Sequence, residues 1–277
     1  MRVDLRCFGL TIVLLWSNLP SSLSAETPSL DLGFHCLYNL QFDDAQAEFH
    51  GWQQRFPEDP VGPAAESAAW LFEEFDRLKI LELQLFTRSG SLVPRKKVEP
   101  NPQTRLRFFD AVERATQKAN KRLAANPRDV DAMFAMTLAS GQTADYQALI
   151  EKHTLASLQS TKRATAWAQQ LLAVDPHYYD AYVASGSEKY IVGSLIAPVR
   201  WLLSLDGVNG DKEEGIRQVA LTAQNGRYLA PLARMLLAIA YVREHKNADA
   251  LALLVKLRAD FPANTVFARA LTELDRH

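Results

Sequence analysis

Cysteine is almost missing from this chain. Its 277 residues include two, Cys7 and Cys36. If the first 25 residues are removed as a leader, Cys36 alone remains, and no intramolecular disulfide can form. An exported protein of this size must then rest on its apolar core. Charge of one sign is missing too. The formal net charge is −1, so no global basic field draws nucleic acid or acidic lipid. No apolar run reaches the roughly 20 residues that a membrane-spanning helix needs. Asn-x-Ser/Thr sequons do not occur, which removes the usual mark of a eukaryotic secreted surface. Runs of alternating β-branched residues are absent as well, which argues against a sheet.

Catalytic signatures are equally scarce. The six histidines, at 35, 50, 153, 177, 245 and 277, are scattered, and no pair brackets a glutamate at zinc-protease spacing. SGS at 89–91 and SGSEK at 185–189 lack the flanking glycine of a nucleophile elbow. There is no glycine-rich phosphate loop. Cys36 falls on a helix face expected to pack, so it reads as a buried thiol. The sequence therefore predicts no enzyme, no cofactor and no metal site.

What is present begins with the N-terminus. Arg2 and Arg6 precede the apolar run CFGLTIVLLW, and SNLPSSLSA follows with small residues up to Ala25. That is the layout of a secretory signal peptide over residues 1–25, with cleavage after Ser24 or Ala25. The expected destination is a bacterial periplasm.

From residue 26 to 277 the pattern is helical, with apolar residues recurring at three and four, as at Ala69, Phe72, Phe75 and Leu78. One spacing repeats. Ala45 and Pro57 lie 12 residues apart, as do Ala115 and Pro127, Ala164 and Pro176, and Ala250 and Pro262. Each spacing predicts a helix of about three turns that starts on a small residue, packs closely on a neighbour and stops before the proline. Leu32 and Gly33, and later Leu237, Ala238 and Tyr241, mark a preceding helix, and Gly186 marks another. Together these positions resemble the tetratricopeptide repeat, a helix–turn–helix unit. Cys36 and Trp52 depart from its pattern, and the proline intervals show that the repeats are degenerate and carry insertions.

The resemblance implies an all-α, right-handed helical-repeat solenoid. About five pairs are expected over 30–57, 62–127, 130–176, 178–226 and 229–261, with a closing helix at 263–276. The second pair is expected to open on a long helix from about 62 to 88. The first helices of such a stack line a concave groove suited to a peptide or partner helix. The groove-facing candidates are Phe34, Leu37 and Tyr38, then Asp131 and Phe134, then Asp180, Val183 and Ser187, and last Arg243.

Three further stretches invite chemistry. GDKEEG at 210–215 lies close to Asp206 and Asn209, but its acidic order does not fit a calcium loop. Asp211 followed by Glu214 reads instead as a helix cap. RKK at 95–97 is the one basic cluster, in a proline-bracketed loop without interleaved aromatics, so nucleic acid is not expected there. YIVGSLIAPVRWLLSL at 190–205 is read as a helix buried in a bent pair, with Ser204–Asp211 as the turn and no membrane contact predicted. The expected function is a non-enzymatic scaffold that binds a protein or peptide partner of the cell envelope. The alternative is a small-molecule carrier, or an accessory subunit of an envelope transporter, with 190–205 and 142–156 enclosing the cavity.

Overall fold

The computed structural model describes residues 27–80, 99–205, 207 and 209–275, without the side chains of 198, 199, 202 and 275. The expected leader at 1–25 and the RKK cluster lie outside these residues. Among the described residues there are twelve α-helices and no strand. In chain order they are α1 Leu30–Tyr38, α2 Phe42–Arg55, α3 Val61–Arg77, α4 Pro102–Ala125, α5 Val130–Asp145 and α6 Thr154–Val174. Then come α7 Tyr182–Gly193, α8 Ala197–Leu205, α9 Lys212–Asn225, α10 Ala230–Arg243, α11 Asn247–Asp260 and α12 Thr265–Asp275. A π-helical turn, Tyr146–Glu151, joins α5 to α6.

Local chemistry sets these boundaries. Asp129 caps α5 through the Ala132 amide, Asn101 caps α4 through Gln103 and Thr104, and Asp211 caps α9 through Glu214. Helices α2, α4, α6 and α11 end two residues before Pro57, Pro127, Pro176 and Pro262. α3 is shorter than the pattern predicts. It stops at Arg77, and Lys79 turns the chain with φ 57°. Its last turn is tied to the next helix: buried Glu74 accepts from the Asn101 amide at 2.8 Å and from Arg77, which donates to the Glu99 carbonyl.

Helices pack as consecutive antiparallel pairs: α1 with α2, α3 with α4, α5 with α6, α7 with α9 and α10 with α11. The four small residues Ala45, Ala115, Ala164 and Ala250 are all buried, as are Phe49, Ala119, Ala168 and Leu254 one turn later. Gly33 has the same role, since a Cβ there would collide with the Phe49 ring. The first and fifth pairs share their turn atom for atom. Leu40 and His245 take left-handed φ of 61° and 59°. The next amides, Gln41 and Lys246, reach back to the carbonyls of Cys36 and Tyr241, which is the Schellman arrangement.

The array curls until its first pair meets its last. Asn264 donates to the Tyr38 carbonyl at 2.8 Å, and Asn39 accepts from the Ala263 amide. The Tyr38 hydroxyl donates to the Tyr228 carbonyl at 3.1 Å. Arg227 forks onto Asp31 at 2.9 and 2.7 Å. The inner side is thereby filled by rings: Phe34 and Phe134 both pack on Tyr228, and Tyr38 packs on Phe72 and Phe261.

Candidate functional site

Because the pairs curl together, the turns that separate them converge. Around one cleft of about 500 Å³ lie Phe56 and Asp59 from the turn after α2, with Trp52 from its last turn. Arg122 and Asp131 come from the two sides of the turn between α4 and α5. Asp175 and His177 to Asp180 come from the turn after α6, and Asn225, Arg227 and Tyr228 from the turn after α9. Three inter-pair turns, with the helix ends flanking a fourth, thus supply most of the lining.

Each wall is held from behind. Asp180 is buried and accepts from the amides of Arg227, Tyr228 and Leu229, the last at 2.8 Å. That bond set fixes the turn that carries Arg227 and Tyr228. Burial pushes the Asp180 carboxyl up, against the pull of those three amides. Gly226 sits over this anchor, and a Cβ there would come within 2.6 Å of Asp180 Oδ1. On the opposite wall the Trp52 indole donates to Asp59, which also accepts from the Val61 amide at 3.0 Å. Arg122 binds Asp129 at 2.8 Å and lies 3.6 Å from Asp131 and 3.8 Å from Asp59. Burial pushes the Asp131 carboxyl up. Arg122 opposes that shift, and Asp59 and Asp129 add to it.

Aromatic surface is abundant. The Trp52 and Phe56 rings lie 4.3 Å apart at a tilt of 46°, and Phe56 remains 39% exposed. Tyr178 leans on Phe134, and Arg227 lies 4.9 Å from the centre of the Tyr228 ring. The lining contains no serine, threonine, cysteine or lysine; the Asp175–His177 pair lies at 3.9 Å beside Tyr178 and Tyr179.

Of the residues read as groove-facing, the cleft takes two, Asp131 and Asp180. Phe34, Leu37, Tyr38, Phe134, Asp180 and Val183 are all buried. An open concave surface would expose them; here Tyr228 covers Phe34 and Phe134, and Phe261 packs on Tyr38. Asp180 is an anchor beneath the cleft rather than an exposed contact. Ser187 and Arg243 are half-buried and lie outside the cleft. Sequence reasoning missed Trp52, Phe56, Tyr178, Tyr179 and Arg227. For the aromatic residues the available signal was an aromatic or an aspartate next to two of the helix-ending prolines, in RFPEDP and VDPHYYD.

The stretch 190–205 also differs from expectation. It breaks after Gly193, and Ile196 just before α8 and Trp201 and Leu205 on it are open to solvent at 70, 64 and 66% exposure respectively. Gly193 ends α7 at a close approach to α9: a Cβ there would lie 2.8 Å from the Lys212 amide nitrogen. Neither 190–205 nor 142–156 lines the cleft. No described helix is long and apolar enough to cross a membrane. Asp211 does cap α9, and among the described residues no group of His, Cys, Asp or Glu is placed to hold a metal ion. Cys36 is buried, which raises its thiol.

No family model matches the chain, and no curated protein does. A crystal structure is similar. It is TTC0263, described as a thermophilic TPR protein in Thermus thermophilus, and it matches with 16% identity over 88% of this chain and 96% of that one, at a TM-score of 0.43.

Proposed function

We propose that this protein is a non-enzymatic interaction module that holds a segment of a partner protein in the cleft between its inter-pair turns. One observation carries this reading: residues from four inter-pair junctions, two of them fixed from behind by Asp180 and Asp59, converge on an open cleft with aromatic rings and charged groups. Rigid aromatic anchors beside polar groups are what protein-binding sites use for affinity. The resemblance of the alanine–proline spacing to tetratricopeptide repeats agrees with a binding role. On the layout of residues 1–25 we further propose export to a periplasm, where the partner would be an envelope protein.

The test is site-specific photocrosslinking in living cells. A crosslinking residue at Phe56 or Tyr179 is expected to capture a protein adduct. The same residue at Val255, which is exposed on α11 and outside the cleft, is expected to capture none. Adducts from Val255 alone, or equally from all three positions, would sink the assignment. N-terminal sequencing of the same protein tests export, since an intact Met1 on the purified chain would reject it.

A further inference from the structure

We propose that the cleft selects its partner through a basic side chain, a lysine or arginine whose charged end sits among Asp131, Asp175 and the ring of Tyr178. This deepens the reading of the cleft as a protein-binding site and rests on it.

The first argument is which groups are already engaged. The lining carries four aspartates against two arginines. Both arginines are committed. Arg122 holds Asp129 through two nitrogens, at 2.8 and 3.0 Å, and has Asp131 and Asp59 within 3.8 Å. Three carboxylates therefore share one guanidinium. Arg227 is taken by both oxygens of Asp31. An arriving carboxylate would find both forks occupied and would meet a surplus of like charge. An arriving cation would meet Asp131, which has only a 3.6 Å contact with Arg122, and Asp175, whose carboxylate is 43% exposed and accepts from the His177 amide. Burial disfavours the charged form of Asp131, so a cation beside it offsets a cost the empty cleft carries.

The second argument is independent of charge count. The cleft is lined by rings, and the protein already places one guanidinium on a ring at this site. Arg227 stacks on Tyr228 at 4.9 Å while bound to a carboxylate. A ring face beside a carboxylate is the arrangement that holds a cation most firmly once water is displaced. The third is size, since about 500 Å³ lies within the usual range for a site that encloses a small group.

The test uses the full chain, isotope-labelled for NMR, and capped pentapeptides Gly-Ser-X-Ser-Gly with arginine, lysine, norleucine or glutamate at X. The Trp52 indole proton and the Tyr228 and Leu229 amides report the cleft. Arginine and lysine peptides are expected to move them at about tenfold lower concentration than norleucine, in line with a desolvated cation–ring contact. In the double variant Asp131→Asn, Asp175→Asn that advantage is expected to shrink to about twofold, with the Leu229 amide in place to show an intact fold. Norleucine equal to arginine, glutamate tighter than arginine, or an unchanged advantage in the double variant would each overturn the basic-side-chain choice and leave the cleft as a binding site. No response at the cleft from any peptide up to roughly 10 mM, the weak end of single-residue recognition, would overturn the cleft reading itself.

Discussion

Replacing Asp180 with alanine tests how the cleft is built. Its carboxylate is 3% exposed and accepts from three consecutive amides at 3.0, 3.2 and 2.8 Å. The bonds to Tyr228 and Leu229 are buried, and the one to Arg227 is partly open to the cleft. Alanine leaves two buried donors without an acceptor, at about 1–3 kcal/mol each. Water entering from the cleft satisfies the third. Removing a buried carboxylate also relieves its desolvation, which recovers part of the loss. The net expectation is a loss of about 3 kcal/mol. Asparagine keeps Oδ1 for Tyr228 and Leu229 and fails only at Arg227, so it should lose about 1 kcal/mol. Urea unfolding followed by far-UV circular dichroism measures both. With a slope of about 2–3 kcal/mol per molar, alanine moves the midpoint down by roughly 1 M or more. An alanine variant within about 0.3 M of the parent, or an asparagine variant as weak as alanine, would refute the claim that this carboxylate fixes the 227–229 turn.

Other substitutions test the remaining joints. Gly215→Ala should destabilise by at least about 2 kcal/mol in the same assay despite alanine's better helix propensity, because its Cβ would lie 2.7 Å from the Gly186 carbonyl oxygen between α7 and α9. His245→Gly should stabilise by up to about 1 kcal/mol, because His245 is exposed and holds φ 59°. Asn264→Ala removes the bond to the Tyr38 carbonyl and the bond from the Val266 amide, so a loss of about 2 kcal/mol is expected, together with faster hydrogen exchange at Ala263. Glu66 is buried. Desolvation alone would raise its carboxyl, but bonds from Gln53 and Arg114 outweigh that and hold it below its ordinary value. The unfolded chain therefore takes up this proton first as pH falls. The stabilisation is complete above about pH 4.3 and is lost on further acidification. Glu66→Gln should flatten that acid limb of the urea midpoint against pH and lower the neutral plateau.

The parts of this fold that could be read from sequence are those where packing constrains single positions. A helix that touches its neighbour needs a small residue at the contact, so Ala45, Ala115, Ala164 and Ala250 stand out, and each is buried. A helix that must stop leaves a proline two residues beyond its end. A cap leaves Asp211 and its target at Glu214. Curvature leaves no such mark. It is the sum of small rotations between pairs, and here it is large enough to bring Tyr38 against Tyr228 and Asn264. That closure turned the expected groove into core. Phe34 and Phe134 sit on the first helices of their pairs, where an open array would present them, and Tyr228 covers both. The same closure moves the accessible surface from helix faces to turns. A helix face must satisfy its neighbours before it can bind anything, whereas Phe56, Asp175 and His177 lie outside the helices. Binding and stability should therefore separate in this chain. Substitutions at Phe56 or Asp175 can change recognition with little effect on unfolding, whereas those at Phe34, Phe134 or Asp180 cannot.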